Sequence, residues 1–167
     1  MRALLISCAL AMLGATSTLA AELGQPKGTV ILSVTGAIER TNSGEAAEFD
    51  LAMLEEIAGR SASMRTPWTD SVTEFEGPYL DALLEAVGAH GHKLVVKALN
   101  DYSAELPLED ARDFETILAL RMNGETMSVR EKGPLFLIYP FDKNPELYNE
   151  KYFSRSVWQI REIEVVD

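Results

Sequence analysis

The chain has 167 residues, 15 Lys plus Arg against 26 Asp plus Glu, 47% hydrophobic residues and a single cysteine. That length holds one ordinary core, and the hydrophobic content excludes wholesale disorder. A formal net charge of -11 argues against binding duplex nucleic acid, which needs cationic side chains to displace counterions, and against adhesion to anionic membranes. One cysteine excludes both a disulfide framework and a cysteine-built zinc site.

Residues 1–20 read as a signal peptide. Arg2 supplies the positive start, Ala3–Leu13 an apolar run, and Thr16-Ser17-Thr18-Leu19-Ala20 a small-residue end with a cut after Ala20. The run is shorter than the roughly 20 residues a membrane span needs. Leu5-Ile6-Ser7-Cys8 is similar to a lipoprotein signal box, but few apolar residues precede Cys8. Cleavage after Ala20 removes Cys8, so the expected product is a periplasmic or secreted protein without a thiol. The leader carries one arginine and no Arg-Arg pair, the pattern of the route that exports unfolded chains.

Residues 21–27 form an expected linker, and one domain is expected over 28–167. Thr29–Thr35 is rich in β-branched residues and predicts a strand closed by Gly36. Asn42-Ser43-Gly44 predicts a loop. Phe49–Ala58 places Leu51, Leu54 and Ala58 on one helical face, with Gly59 as a stop. Gly59–Asp70 is polar, contains Pro67 and Trp68, and reads as an irregular loop. Gly77-Pro78 opens a second helix carrying Leu80, Leu83, Leu84 and Val87 and ending at Gly88. Lys93–Leu99 predicts a strand and Asn100-Asp101 a turn. Thr116–Met122, Asn123-Gly124 and Glu125–Val129 predict a hairpin, since Asn-Gly suits the positive φ angles of a two-residue turn. Leu135–Tyr139 predicts a strand buried on both faces, and Phe141–Arg155 a polar loop dotted with aromatics. The apolar positions of Val157–Val166 change parity between Ile160 and Ile163, which predicts a bulge near Arg161-Glu162. The interleaved elements make the class α+β, mixed and strand-rich with short helices.

Phe75-Glu76-Gly77 before the leucine helix, then Leu99-Asn100-Asp101-Tyr102, Pro107-Leu108-Glu109-Asp110, Met122-Asn123-Gly124-Glu125, Gly133-Pro134-Leu135 and Val157-Trp158-Gln159-Ile160, stand in an informative order. This order resembles the molybdopterin-binding domain of the sulfite-oxidase type, with its F-x-G, D-G-Y, N-G, G-P-L-R and K-W-L motifs, over about residues 28–167. The resemblance implies a mixed fold of several small sheets. In active members it implies a pterin-bound molybdenum held by a cysteine thiolate and transferring oxygen atoms or electrons. The departures fall on that chemistry. The stretch corresponding to the metal-binding cysteine, Gly59–Asp70, has none; Phe136 replaces the arginine of G-P-L-R and Val157 the lysine of K-W-L. A soft ligand and two cations that would stabilise anionic groups are thereby lost. A chain threaded unfolded also cannot carry a pre-inserted pterin across the membrane.

Other constellations lead less far. His90-Gly91-His92, with Glu85 as a third ligand, is a candidate weak metal site, read more simply as an exposed turn. No Gly-x-Ser-x-Gly elbow is present. Glu55, Glu56, Glu109, Asp110, Asp113 and Glu115 match no EF-hand spacing and read as solvated surface. Tyr139-Pro140-Phe141, Tyr148, Tyr152, Phe153 and Trp158 either line a groove or pin a long loop to the core. The resulting expectation is an exported domain that has lost molybdenum catalysis and binds a small ligand or a periplasmic protein, with no nucleic acid and no membrane span. Molybdopterin is suspected from the resemblance only, with no metal ligand and no bound cofactor expected. Asn100, Asp101, Tyr102, Asn123 and Trp158 are the positions matched to the ancestral pocket. The alternative is a molybdopterin-dependent oxidoreductase, or a subunit of one, with a serine or aspartate ligand: Ser61, Ser63 or Asp70.

Overall fold

The computed structural model describes residues 22–167; the signal peptide expected over 1–20 lies outside the described residues. Strand β1 (Val30–Gly36) forms where a β-branched run alternates inward Leu32 and Val34 with outward neighbours. It pairs in parallel with the last strand, β11 (Ile160–Val166), and antiparallel with β2 (Ala47–Asp50). On its other side β11 meets β5 (Lys93–Ala98), which meets β6 (Ser103–Pro107), both antiparallel. The five-stranded order β2-β1-β11-β5-β6 therefore joins the first and last strands at its centre. The expected bulge is present as a register shift between Ile160 and Glu162.

The predicted helix over Phe49–Ala58 is corrected to a strand end and a short helix. Phe49 and Asp50 end β2, and Asp50 also caps α1 (Leu51–Glu55), its side chain accepting the Met53 N–H at 2.9 Å. Asp50 also accepts the N–H groups of Lys27 and Gly28, each at 2.7 Å, which ties the expected linker to the sheet. The hydrogen bond from Met53, with those from the other backbone groups, holds its carboxyl below the usual value of 3.8.

Gly59–Asp70 is not one loop. Its first half is β3 (Gly59–Met64), paired antiparallel with β4 (Thr73–Pro78) and followed by β8 (Arg121–Met122) and β9 (Glu125–Thr126) in a four-stranded sheet. Small polar residues hid the alternation, which rests on inward Ala62 and Met64 alone. The Phe75-Glu76-Gly77 motif lies in β4, with Phe75 buried. A Cβ on Gly77 would stand 1.9 Å from the Leu118 carbonyl oxygen, so only glycine allows this crossing of backbones. Helix α2 (Leu80–Val87) follows, burying Leu80, Leu83, Leu84 and Val87 and ending on Gly88 in the left-handed conformation at φ 66°. Each buried leucine contributes about 1.5–3 kcal/mol.

The Asn-Gly turn is present, with Asn123 at φ 52° and Gly124 at φ 81°. The strand expected before it divides. Ile117–Ala119 forms β7, paired with β10 (Phe136–Ile138), whereas β8 crosses to the other sheet. Residues Ile117–Leu120 and Leu135–Tyr139 are all buried, as a central apolar layer requires. Helix α3 (Glu109–Asp113) follows β6. The loop expected over Phe141–Arg155 contains α4 (Glu150–Arg155), capped by Asn149, whose side chain accepts the Lys151 N–H.

Candidate functional site

Three chain segments meet where β5, β10 and β11 begin or end. The turn Asn100-Asp101-Tyr102 joins β5 to β6, with Asp101 at φ 65° and the Asn100 side chain accepting the Tyr102 N–H at 3.1 Å. Trp158, just before β11, forms a bridge with Phe136 of β10. Trp68, in the loop after β3, leans on both. Its ring centroid lies 5.3 Å from Phe136, 6.1 Å from Trp158 and 5.7 Å from Phe153 of α4, each edge to face. Such pairs contribute about 0.5–1.5 kcal/mol each beyond their burial.

These segments enclose a cavity of about 380 Å³, lined by Trp68, Asn100, Tyr102, Phe153 and Trp158, with Glu150, Ser154, Ser156, Ala98 and Val157 completing the wall. Tyr102 donates to the Ser154 carbonyl at 3.0 Å and so joins the β5–β6 turn to α4. The serine hydroxyls are spent on their own helix turn, Ser154 donating to Lys151 and Ser156 to Tyr152. Each neighbouring cation has a partner. Lys132 lies 4.9 Å over the Trp158 ring, Lys151 5.0 Å over Tyr152, and Arg161 3.1 Å from Asp101. Arg155 donates to Asp110 at 2.7 Å.

That last pair anchors the α4 wall. Asp110, in α3, is buried and accepts from both Arg155 and the Tyr139 hydroxyl, each at 2.7 Å. Burial, reinforced by the Asp110 carboxylate, raises the Tyr139 phenol far above its ordinary value of 10.0.

Of the five sequence-derived positions, Asn100, Tyr102 and Trp158 line this cavity. Asp101 shares the turn but faces Arg161 at the surface. Asn123 sits at the other hairpin, where its side chain accepts the Glu74 N–H at 3.1 Å, and is not among the lining residues. Trp68, Glu150 and Phe153 complete the site. Trp68 falls in the stretch already marked by its missing cysteine, and Phe153 in the aromatic segment, whereas Glu150 carried no sequence signal. The aromatic segment satisfies both of its readings: Tyr139 and Phe141 are core, while Phe153 and Trp158 face the cavity. His90 and His92 are exposed, and among the described residues no His, Cys, Asp and Glu cluster is arranged to hold a metal ion. No helix among these residues is long and apolar enough to cross a membrane.

The family model for the oxidoreductase molybdopterin binding domain matches residues 44–167. Among solved structures, the chain is similar to the sulfane dehydrogenase SoxCD from Paracoccus pantotrophus, with a TM-score of 0.60 and 18% identity. The match covers 81% of this chain but 38% of that one, and at this identity it carries the fold alone. No curated protein matches the chain.

The residues at the cavity do not fit a phosphate-bearing pterin with its metal. Phe136, at the position matched to an arginine, is fully buried among rings. Val157, at the position matched to a lysine, is also buried. The wall contains no cation but includes the Glu150 carboxylate, which repels phosphate. No cysteine occurs among the described residues. Nor do the serines replace it: Ser61 and Ser63 lie on the exposed face of β3, opposite Ala62 and Met64, and Ser61 donates to Glu74 at 2.6 Å. Asp70 is exposed and absent from the lining.

Proposed function

The chain belongs to the oxidoreductase molybdopterin binding domain family, and from that premise we propose that it is an exported binding module whose cofactor pocket has been rebuilt to hold a different small ligand. One observation carries this reading. Trp68, Phe136 and Trp158, from the segments matched to the family's metal ligand and cationic groups, pack together as rings beside a cavity with free polar groups. Thiolate and phosphate chemistry has no donors there, whereas apolar contact and a few directional polar groups are what a small-molecule site needs.

The leader expected over residues 1–20 supports a periplasmic or secreted location, by a route that delivers the chain unfolded and without a pterin. The test is elemental and pterin analysis of the protein purified from its native periplasm. Neither molybdenum nor pterin is expected at a stoichiometric level. About one of each per chain would overturn the proposal and return the reading to an oxidoreductase with an unusual ligand.

A further inference from the structure

The walls of the aromatic cavity are chemically one-sided. Four aromatic side chains, Trp68, Tyr102, Phe153 and Trp158, come from four elements of the fold: the loop after β3, the β5–β6 turn, α4 and the entry to β11. Tyr102 and Trp158 remain 49% and 37% exposed, whereas Phe75, Phe136 and Tyr139 are completely buried. The ionisable group with a charge at neutral pH in the wall is Glu150, for which no hydrogen bond or ion pair is formed among the described residues. The neighbouring cations Arg155, Arg161 and Lys151 are engaged outside the wall, with Asp110, Asp101 and the Tyr152 ring. The Trp158 ring already accepts one ammonium, that of Lys132 at 4.9 Å. Aromatic faces attract cations through their quadrupoles, most strongly for tryptophan and where water is excluded.

Resting on the reading of this cavity as a binding site, we propose that its ligand is a small organic cation of the alkylammonium class. The alkyl groups pack against the rings, the positive charge faces Glu150, and the Asn100 amide, whose oxygen is used by the Tyr102 N–H, offers its N–H group to a polar substituent. The cavity's volume of about 380 Å³ lies in the range of small-molecule sites. The chain's net charge of -11 favours approach of a cationic ligand.

Both tryptophans of the chain line this cavity, so intrinsic fluorescence reads its occupancy directly. The exported chain is titrated with choline and with its uncharged carbon isostere, 3,3-dimethylbutan-1-ol, at about 0.15 M salt to screen diffuse attraction. A saturable change with choline is expected, about tenfold weaker for the isostere and about tenfold weaker for choline on Glu150→Gln. Glu150 is exposed, so this variant retains the fold. Equal binding of the isostere, or unchanged choline affinity in Glu150→Gln, would overturn the cation assignment while leaving the binding reading intact. No response to choline would also overturn it. The binding reading falls separately, through stoichiometric molybdenum and pterin in the native protein.

Discussion

The aromatic cavity and the cleft beside α1 are two hollows in one fold with opposite chemistry. The cleft is larger, about 540 Å³, and is bounded by Leu54, Ile57, Arg60, Glu76, Gly77 and Arg121. Two arginines in a crevice would suit an anion, but each already pairs with a carboxylate, leaving only the buried Arg60 Nε without a partner among the described residues. Arg60 makes two parallel bonds to Asp142, at 2.9 and 3.1 Å, and Arg121 meets Glu55 at 2.6 Å. In the smaller cavity no cation lines the wall and the rings of Tyr102 and Trp158 stay partly open. Size therefore says less about a site than whether its polar groups are spent on the fold.

The sharpest way to break this contrast is to put the family's cation back. Phe136→Arg buries a charge inside the ring cluster and is expected to cost about 3–5 kcal/mol, read by thermal or urea unfolding. A stable variant would mean the pocket can still open to an anion. Next in size, Asp110→Ala leaves Arg155 and Tyr139 without their shared acceptor and is expected to cost about 3 kcal/mol. It should also loosen α4 and weaken ligand binding, whereas the cleft beside α1 should not change in amide exchange.

Smaller effects sharpen the same comparison from the cleft side. Arg60→Leu removes the mostly buried cation that pairs with Asp142 and is expected to cost about 1 kcal/mol, without altering the fluorescence titration. Two pH limbs follow from the shifted groups. The Asp50 carboxyl is lowered in the folded chain, so its contribution is present above the usual 3.8 and is lost as pH falls through the lower folded value; Asp50→Ala should flatten that acid limb. Tyr139 is raised, so its contribution holds through neutral pH and declines as pH climbs past 10, where the unfolded phenol ionises and the folded one does not. Tyr139→Phe should remove that alkaline limb.

How much was legible in the sequence depended on how strongly each segment's pattern was local. Helix α2 announced itself because its leucines repeat at the helical period and Gly88 supplies the left-handed stop. The Asn-Gly turn and the bulge in β11 were equally local. Strand β3 was missed because serine, alanine and glycine carry little β signal; its state is decided by pairing with β4 across the whole strand. The split of Ile117–Met122 between two sheets also has no local signature, since both halves are apolar and extended.

The site divides in the same way. The motif order, the lack of a cysteine in Gly59–Asp70, and Phe136 and Val157 at the positions matched to cations were properties of the sequence by itself, and the motif order already pointed to the family. That Asn100, Tyr102 and Trp158 meet, while Asn123 stands apart, was decided only by tertiary structure, because a turn, a loop and a strand entry converge through sheet pairing between distant segments. Glu150 is the extreme case. An exposed carboxylate on a short helix carries no sequence signal, and it gains meaning only because the Arg155–Asp110 anchor holds α4 against the rings.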